Sequence, residues 1–148
     1  MSVPNEADFA IVLVGDGATP TEVFTAVCGI ENVSANINVN ANDRFRRDCA
    51  KPGIPGTRKN IVTGKTLTIT ASGAANIDNV EDFEASVGIV KNYKFEFRRR
   101  DGSDAGVLQG TYSGPFMMMS FGLGTSENGD STGEITFNNE GPWTWAAA

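Results

Sequence analysis

In residues 33–40 an apolar side chain returns at every second position: Val33, Ala35, Ile37 and Val39 alternate with Asn36, Asn38 and Asn40. Strict period two with one polar face is the pattern of a strand with one side buried, and no helix face presents it. The same alternation recurs at residues 65–72, where Leu67, Ile69 and Ala71 oppose Thr66, Thr68, Thr70 and Ser72. It recurs again at residues 93–99, where Tyr93, Phe95 and Phe97 oppose Lys94, Glu96 and Arg98. A chain that repeats this pattern is committed to building sheet.

Other segments fill out that sheet. Residues 9–14 are a short apolar run stopped by Gly15-Asp16-Gly17, and residues 22–27 can return beside it as a hairpin across Gly17 to Thr21. Residues 107–113 and 116–123 are predicted as two strands split at Gly114-Pro115. In the second, Met117, Met119, Phe121 and Leu123 share a face, which points Met118 away and toward a neighbouring molecule. Residues 133–138 close the series with Ile135 and Phe137 inward. Residues 78–90 are predicted as the helix. Asp78 is placed to cap it, with Glu81 three positions on, and Val80, Phe83 and Val87 fall on one face. Its first turns hold Asp78, Glu81, Asp82 and Glu84, where the helix dipole favours negative charge.

The expected architecture is a mainly β domain spanning residues 1–148. Two antiparallel sheets pack as a sandwich or barrel-like body, with one flanking α-helix and a long basic loop. That loop, residues 42–60, holds Pro52, Gly53, Pro55 and Gly56 and lacks periodicity. It also gathers Arg44, Arg46, Arg47, Lys51, Arg58 and Lys59, half of the chain's 12 basic residues. Basic loop and acidic helix are either two separate solvated faces or the two halves of a contact between copies, where complementary charge sets register. A C-terminal arm, residues 139–148, carries Trp143 and Trp145. These either fold back on their own domain or anchor on a neighbour.

Catalysis is excluded largely by inventory. The chain has no histidine, which removes Ser–His and Cys–His nucleophilic pairs and His-containing zinc sites. The acids of the helix are the densest carboxylates, and capping and solvation explain their spacing better than acid–base work. The glycine pairs at Gly15 and Gly17, and at Gly122 and Gly124, read as turns rather than phosphate cradles. No cofactor, metal or calcium loop is expected. Cys28 and Cys49 read as reduced thiols, at least one of them buried. A net charge of −6 argues against DNA binding in general, though not against a surface past which DNA slides. Membrane association is not expected, since no apolar run approaches the roughly 20 residues that cross a bilayer. The polar, acidic start implies no secretory signal and a cytosolic site of synthesis.

Residues 63–73, opening Thr63-Gly64-Lys65 and closing Ser72-Gly73, resemble a strand of the tail tube (major tail) proteins of long-tailed bacteriophages. A helix, the aromatic strand from Tyr93, Gly110-Thr111-Tyr112-Ser113-Gly114, an apolar strand and Gly133-Glu134-Ile135-Thr136-Phe137 come after it in the order that family shows, over roughly residues 9–138. The resemblance implies a structural virion protein whose copies form hexameric rings that stack into a tube for DNA ejection. It implies tape measure, tail tip and terminator proteins as partners, and DNA that passes without specific binding. Assembly would take place in the host cytoplasm, and residues 42–60 and the C-terminal arm would serve stacking. An uncharged bore wall would come from Thr66, Thr68, Thr70 and Ser72 or from Asn36, Asn38 and Asn40. Two other readings stay open: a completion or connector ring of related fold, and a carbohydrate- or host-binding β-sandwich using Trp143, Trp145 and Tyr112.

Overall fold

A computed structural model describes residues 4–17, 21–27, 29–74 and 76–147. Cys28, on which the expectation of a buried thiol also rests, lies outside them, and Cys49 is free and exposed. The strands are β1 (Phe9–Gly15), β2 (Phe24–Ala26), β3 (Ile30–Arg46), β4 (Thr57–Ala74), β5 (Val90–Arg99), β6 (Val107–Gly124), β7 (Thr132–Asn139) and β8 (Thr144–Ala147). Among the described residues they form one eight-stranded antiparallel sheet ordered β2-β1-β5-β6-β7-β4-β3, with β8 paired to β6 off this path. One curled sheet thus replaces the expected pair of packed sheets. β1 comes within 8 Å of β3, Cα to Cα, without pairing to it, so the barrel-like curl is not closed.

The concave face holds the core. Val12, Leu67, Ile69, Tyr93, Phe95, Phe116, Met118, Ile135 and Phe137 are buried together there. Phe95 is central, with its ring 5.1 Å from Phe116 and 5.2 Å from Phe137. The helix is shorter than expected. A 3-10 turn at Ile77–Asn79 leads into α1 (Val80–Ser86), and Val87 is already extended. Asn76, not Asp78, supplies the cap, its side chain accepting from the Asp78 N–H at 3.1 Å. α1 closes one end of the core by setting Phe83 against Phe121 at 5.3 Å.

β6 runs unbroken through Gly114-Pro115 because it changes neighbours there. β8 pairs with residues 110–113 and β7 with residues 116–124 along the same edge. Pro115 has no N–H to donate, and it sits where the partner strand is interrupted, its carbonyl accepting from Glu140 N at 3.0 Å. A register shift between Met118 and Ser120 overturns the predicted facing of the methionines. The bulge turns Met119 outward, 49% exposed, and leaves Met118 in the core beside Phe116.

Residues 42–60 are not an irregular loop. β3 and β4 stay paired from Asn42↔Ile61 to Arg46↔Thr57, and residues 47–56 make the turn between them. Beyond Thr68, the last residue of β4 facing β7, the hairpin continues as an arm. The ten arm residues 57–66 of β4 span about 33 Å at roughly 3.3 Å each. Period two is absent from the arm because neither face is buried, so nothing imposes alternation.

Candidate assembly surface

The register of β3 against β4 decides which side chains share a face. Ser34↔Thr70, Asn36↔Thr68 and Asn38↔Thr66 put the asparagine row and the threonine row on one side. The two candidate walls are therefore a single surface. It continues onto β7 through Thr70↔Thr136 and Thr68↔Asn138, with Thr68 Oγ1 donating to Asn138 Oδ1 at 3.1 Å. The opposite face of β3 is apolar yet open: Ile37 is 49% and Val39 53% exposed.

The arm carries a bulge. Asn40 pairs with Gly64 and Ala41 with Val62, which leaves Thr63 as the extra residue, its hydroxyl donating to Asn40 O at 2.9 Å. A bulge bends its strand and re-aims the residues beyond it. Past it, Arg44 lies directly opposite Lys59. Like charges facing each other across a ladder repel, so one chain alone gives no reason for the pair. On the other face Asp43 forms an ion pair with Arg58. Arg46 ends β3, and Arg47 and Lys51 stand in the turn, which Asp48 shapes by accepting from Ala50 N at 2.9 Å. Exposed apolar residues are interleaved with these cations: Phe45 is 70% exposed, Ile54 57% and Val62 59%. Their sequence signal is the occurrence of Phe45, Ile61 and Val62 inside a stretch rich in arginine and lysine, where the density of charge masks them.

Asp78, Glu81, Asp82 and Glu84 are exposed on the 3-10 turn and α1, at the end of β4 remote from the arm tip. The two charge clusters therefore occupy opposite ends of one hairpin and do not meet within a chain. The tryptophans fold back. Trp143 packs on the core, and Trp145 lies 4.7 Å from Tyr112 and 6.1 Å from Phe97. Gly110 makes room for the Trp145 ring, since a Cβ there would meet the indole at 2.2 Å. Half of Trp145 remains open, at 51%, and among the described residues β8 pairs only with β6, which leaves its other edge unpaired. No group of His, Cys, Asp and Glu side chains among the described residues is placed to hold a metal ion.

Several solved structures share this arrangement. A chain of the sheath–tube complex of an extracellular contractile injection system, PVC, in its extended state superposes with a TM-score of 0.65 at 17% identity, covering 100% of this chain and 95% of that one. A chain in the tail of an empty gene transfer agent particle, computed with C6 symmetry, gives 0.62 at 18%, covering 92% and 96%. The SPP1 tail tube gives 0.61 at 9%, covering 98% and 80%. The fold is that of tail tube proteins. No family model and no curated protein matches the sequence, so the likeness to tail tube proteins rests on structure.

Proposed function

We propose that the chain is a structural virion protein of a phage tail. Its copies assemble into hexameric rings that stack into the tail tube, the conduit for DNA ejection. The observation that carries this reading is the arm, a paired ribbon with exposed apolar residues on a body that does not need it for its own core. Large exposed apolar surface marks an interface. The sixfold symmetry of the gene transfer agent tail supports a ring of six.

In such a tube the Asn and Thr face of β3, β4 and β7 lines the bore. Arg and Lys are absent from that row, so a passing polyanion meets no counter-charge to hold it. At physiological salt the field of the acidic chain reaches only about 8 Å, which leaves the chemistry of the wall itself to decide passage. The arm cations Arg44, Arg46, Arg47, Lys51, Arg58 and Lys59 face the acids Asp78, Glu81, Asp82 and Glu84 of a copy in the adjacent ring, and the open half of Trp145, held by a C-terminal arm that Trp143 pins to the core, adds contact. Tape measure, tail tip and terminator proteins complete the structure, which is assembled in the host cytoplasm.

Negative-stain microscopy of the purified protein, alone and with tail tips, tests this. Rings or hollow tubes are expected. A compact monomer under every condition overturns the reading.

A further inference from the structure

A cavity of about 400 Å³ opens between β2 and α1. Val14, Ala26, Val27, Phe83, Tyr93 and Met118 line much of it, and Asp16, Asn79 and Asp82 stand at its polar side. Lys91, also in its lining, is engaged with Ser86 Oγ at 3.0 Å. The Tyr93 hydroxyl is buried and has no hydrogen-bond partner among the described residues. An apolar cavity of only about 150 Å³ accepts a benzene ring, so this one has room for an aromatic side chain and its neighbours.

The arm tip carries the matching shape and charge. Phe45 is the most exposed large apolar residue of the described chain, at 70%. It follows Arg44 and precedes Arg46 and Arg47. The cavity is flanked by the carboxylate-rich start of α1. Topology sets the two features at opposite ends of the β3–β4 hairpin: the tip lies before Thr57, and the 3-10 turn and α1 come after Ala74. No chain can satisfy itself this way, but a copy displaced along the hairpin axis can. A head-to-tail contact of this kind repeats without closing, which is the geometry of a filament.

We propose that Phe45 of one copy inserts into the cavity beneath α1 of the next, with the arginines of the tip against Asp82 and its neighbouring acids. This rests on the reading that copies stack, and it names the acceptor for the arm. Charge brings the tip to the correct cavity, and burial of the ring holds it. The acids alone do not define the acceptor; the empty apolar volume beside them does.

Cross-linking between two single-cysteine proteins tests it. In a parent with Cys28→Ser and Cys49→Ser that keeps Phe45, Arg46→Cys and Asp82→Cys are made separately, mixed, assembled and oxidised. Covalent dimer in the mixture and its absence from either protein alone are expected, together with loss of tubes in Phe45→Ala. If the mixture forms tubes but yields no covalent dimer, the docking of Phe45 is wrong while the tube reading stands. If wild type and parent form neither rings nor tubes, the stacking on which the inference rests fails.

Discussion

Two stretches of β4 both carry aliphatic residues, and those residues meet opposite fates. Leu67, Ile69 and Ala71 are fully buried, whereas Ile61 and Val62, a few positions earlier, are 36% and 59% exposed. The difference lies in the neighbours. Residues 68–74 of β4 sit between β3 and β7, while residues 57–66 have β3 alone. The first stretch holds a single chain together. In the proposed tube another molecule would supply the layer that the second stretch lacks, and the same apolar chemistry would serve folding in one place and assembly in the other.

The largest expected effect breaks the buried side of that contrast. Phe95→Ala removes a ring packed on Phe116, Phe137 and Tyr93, and a truncation of this kind costs about 3–5 kcal/mol. Thermal melting followed by circular dichroism should show the loss, with tubes failing only because the fold fails. Reversing Arg44, Arg46 and Arg47 to Glu probes the exposed side. Here the melting curve should hold to within about 0.5 kcal/mol, as for surface changes elsewhere, while tubes vanish from micrographs. Normal tube length in that variant would show that the arm has no part in stacking.

A smaller effect is expected at Tyr93. Burial raises its pKa from 10.0, so the folded state keeps its phenolic proton longer than the unfolded state does. Stability is full below pH 10 and falls as pH rises above it. Tyr93→Phe should flatten this alkaline decline and, by removing an unpartnered hydroxyl, leave neutral stability unchanged or about 1 kcal/mol higher. Denaturant titration at neutral and alkaline pH reads both. The smallest change is Asp43→Asn. Its ion pair with Arg58 is solvent-exposed, with side-chain exposures of 41% and 59%, and such pairs contribute less than about 1 kcal/mol. The melting temperature should scarcely move.

Much of the fold is legible in the sequence wherever a strand has one wet and one dry side. Residues 65–72 and 93–99 announce their cores through alternation, and Ile135 and Phe137 do the same. Each feature that stays hidden has a physical cause. The arm shows no period because no neighbour buries either face. Alternation alone puts Met118 on the wrong side because a bulge resets it, and nothing in three consecutive methionines marks where the bulge falls. Pro115 suggests a break between strands because the gap between β7 and β8 that accommodates it is a property of the assembled sheet. Of the assembly surface, the charged residues are readable from composition, but Phe45 and the cavity under α1 require coordinates. The uncharged wall reads as two rival rows, and only the pairing of Asn36 with Thr68 joins them.

The unpaired residue at Thr63 gives the molecule a joint. Because no β3 residue lies opposite this position in the register and only its hydroxyl reaches across, to Asn40 O, the twist there can vary without parting a backbone rung of the ladder. An extended assembly that flexes must lengthen on one side and shorten on the other. In the proposed tube, a joint within every arm would let each copy follow that change in angle while its tip stays seated, so that curvature would be absorbed inside the subunits rather than at the seams between them.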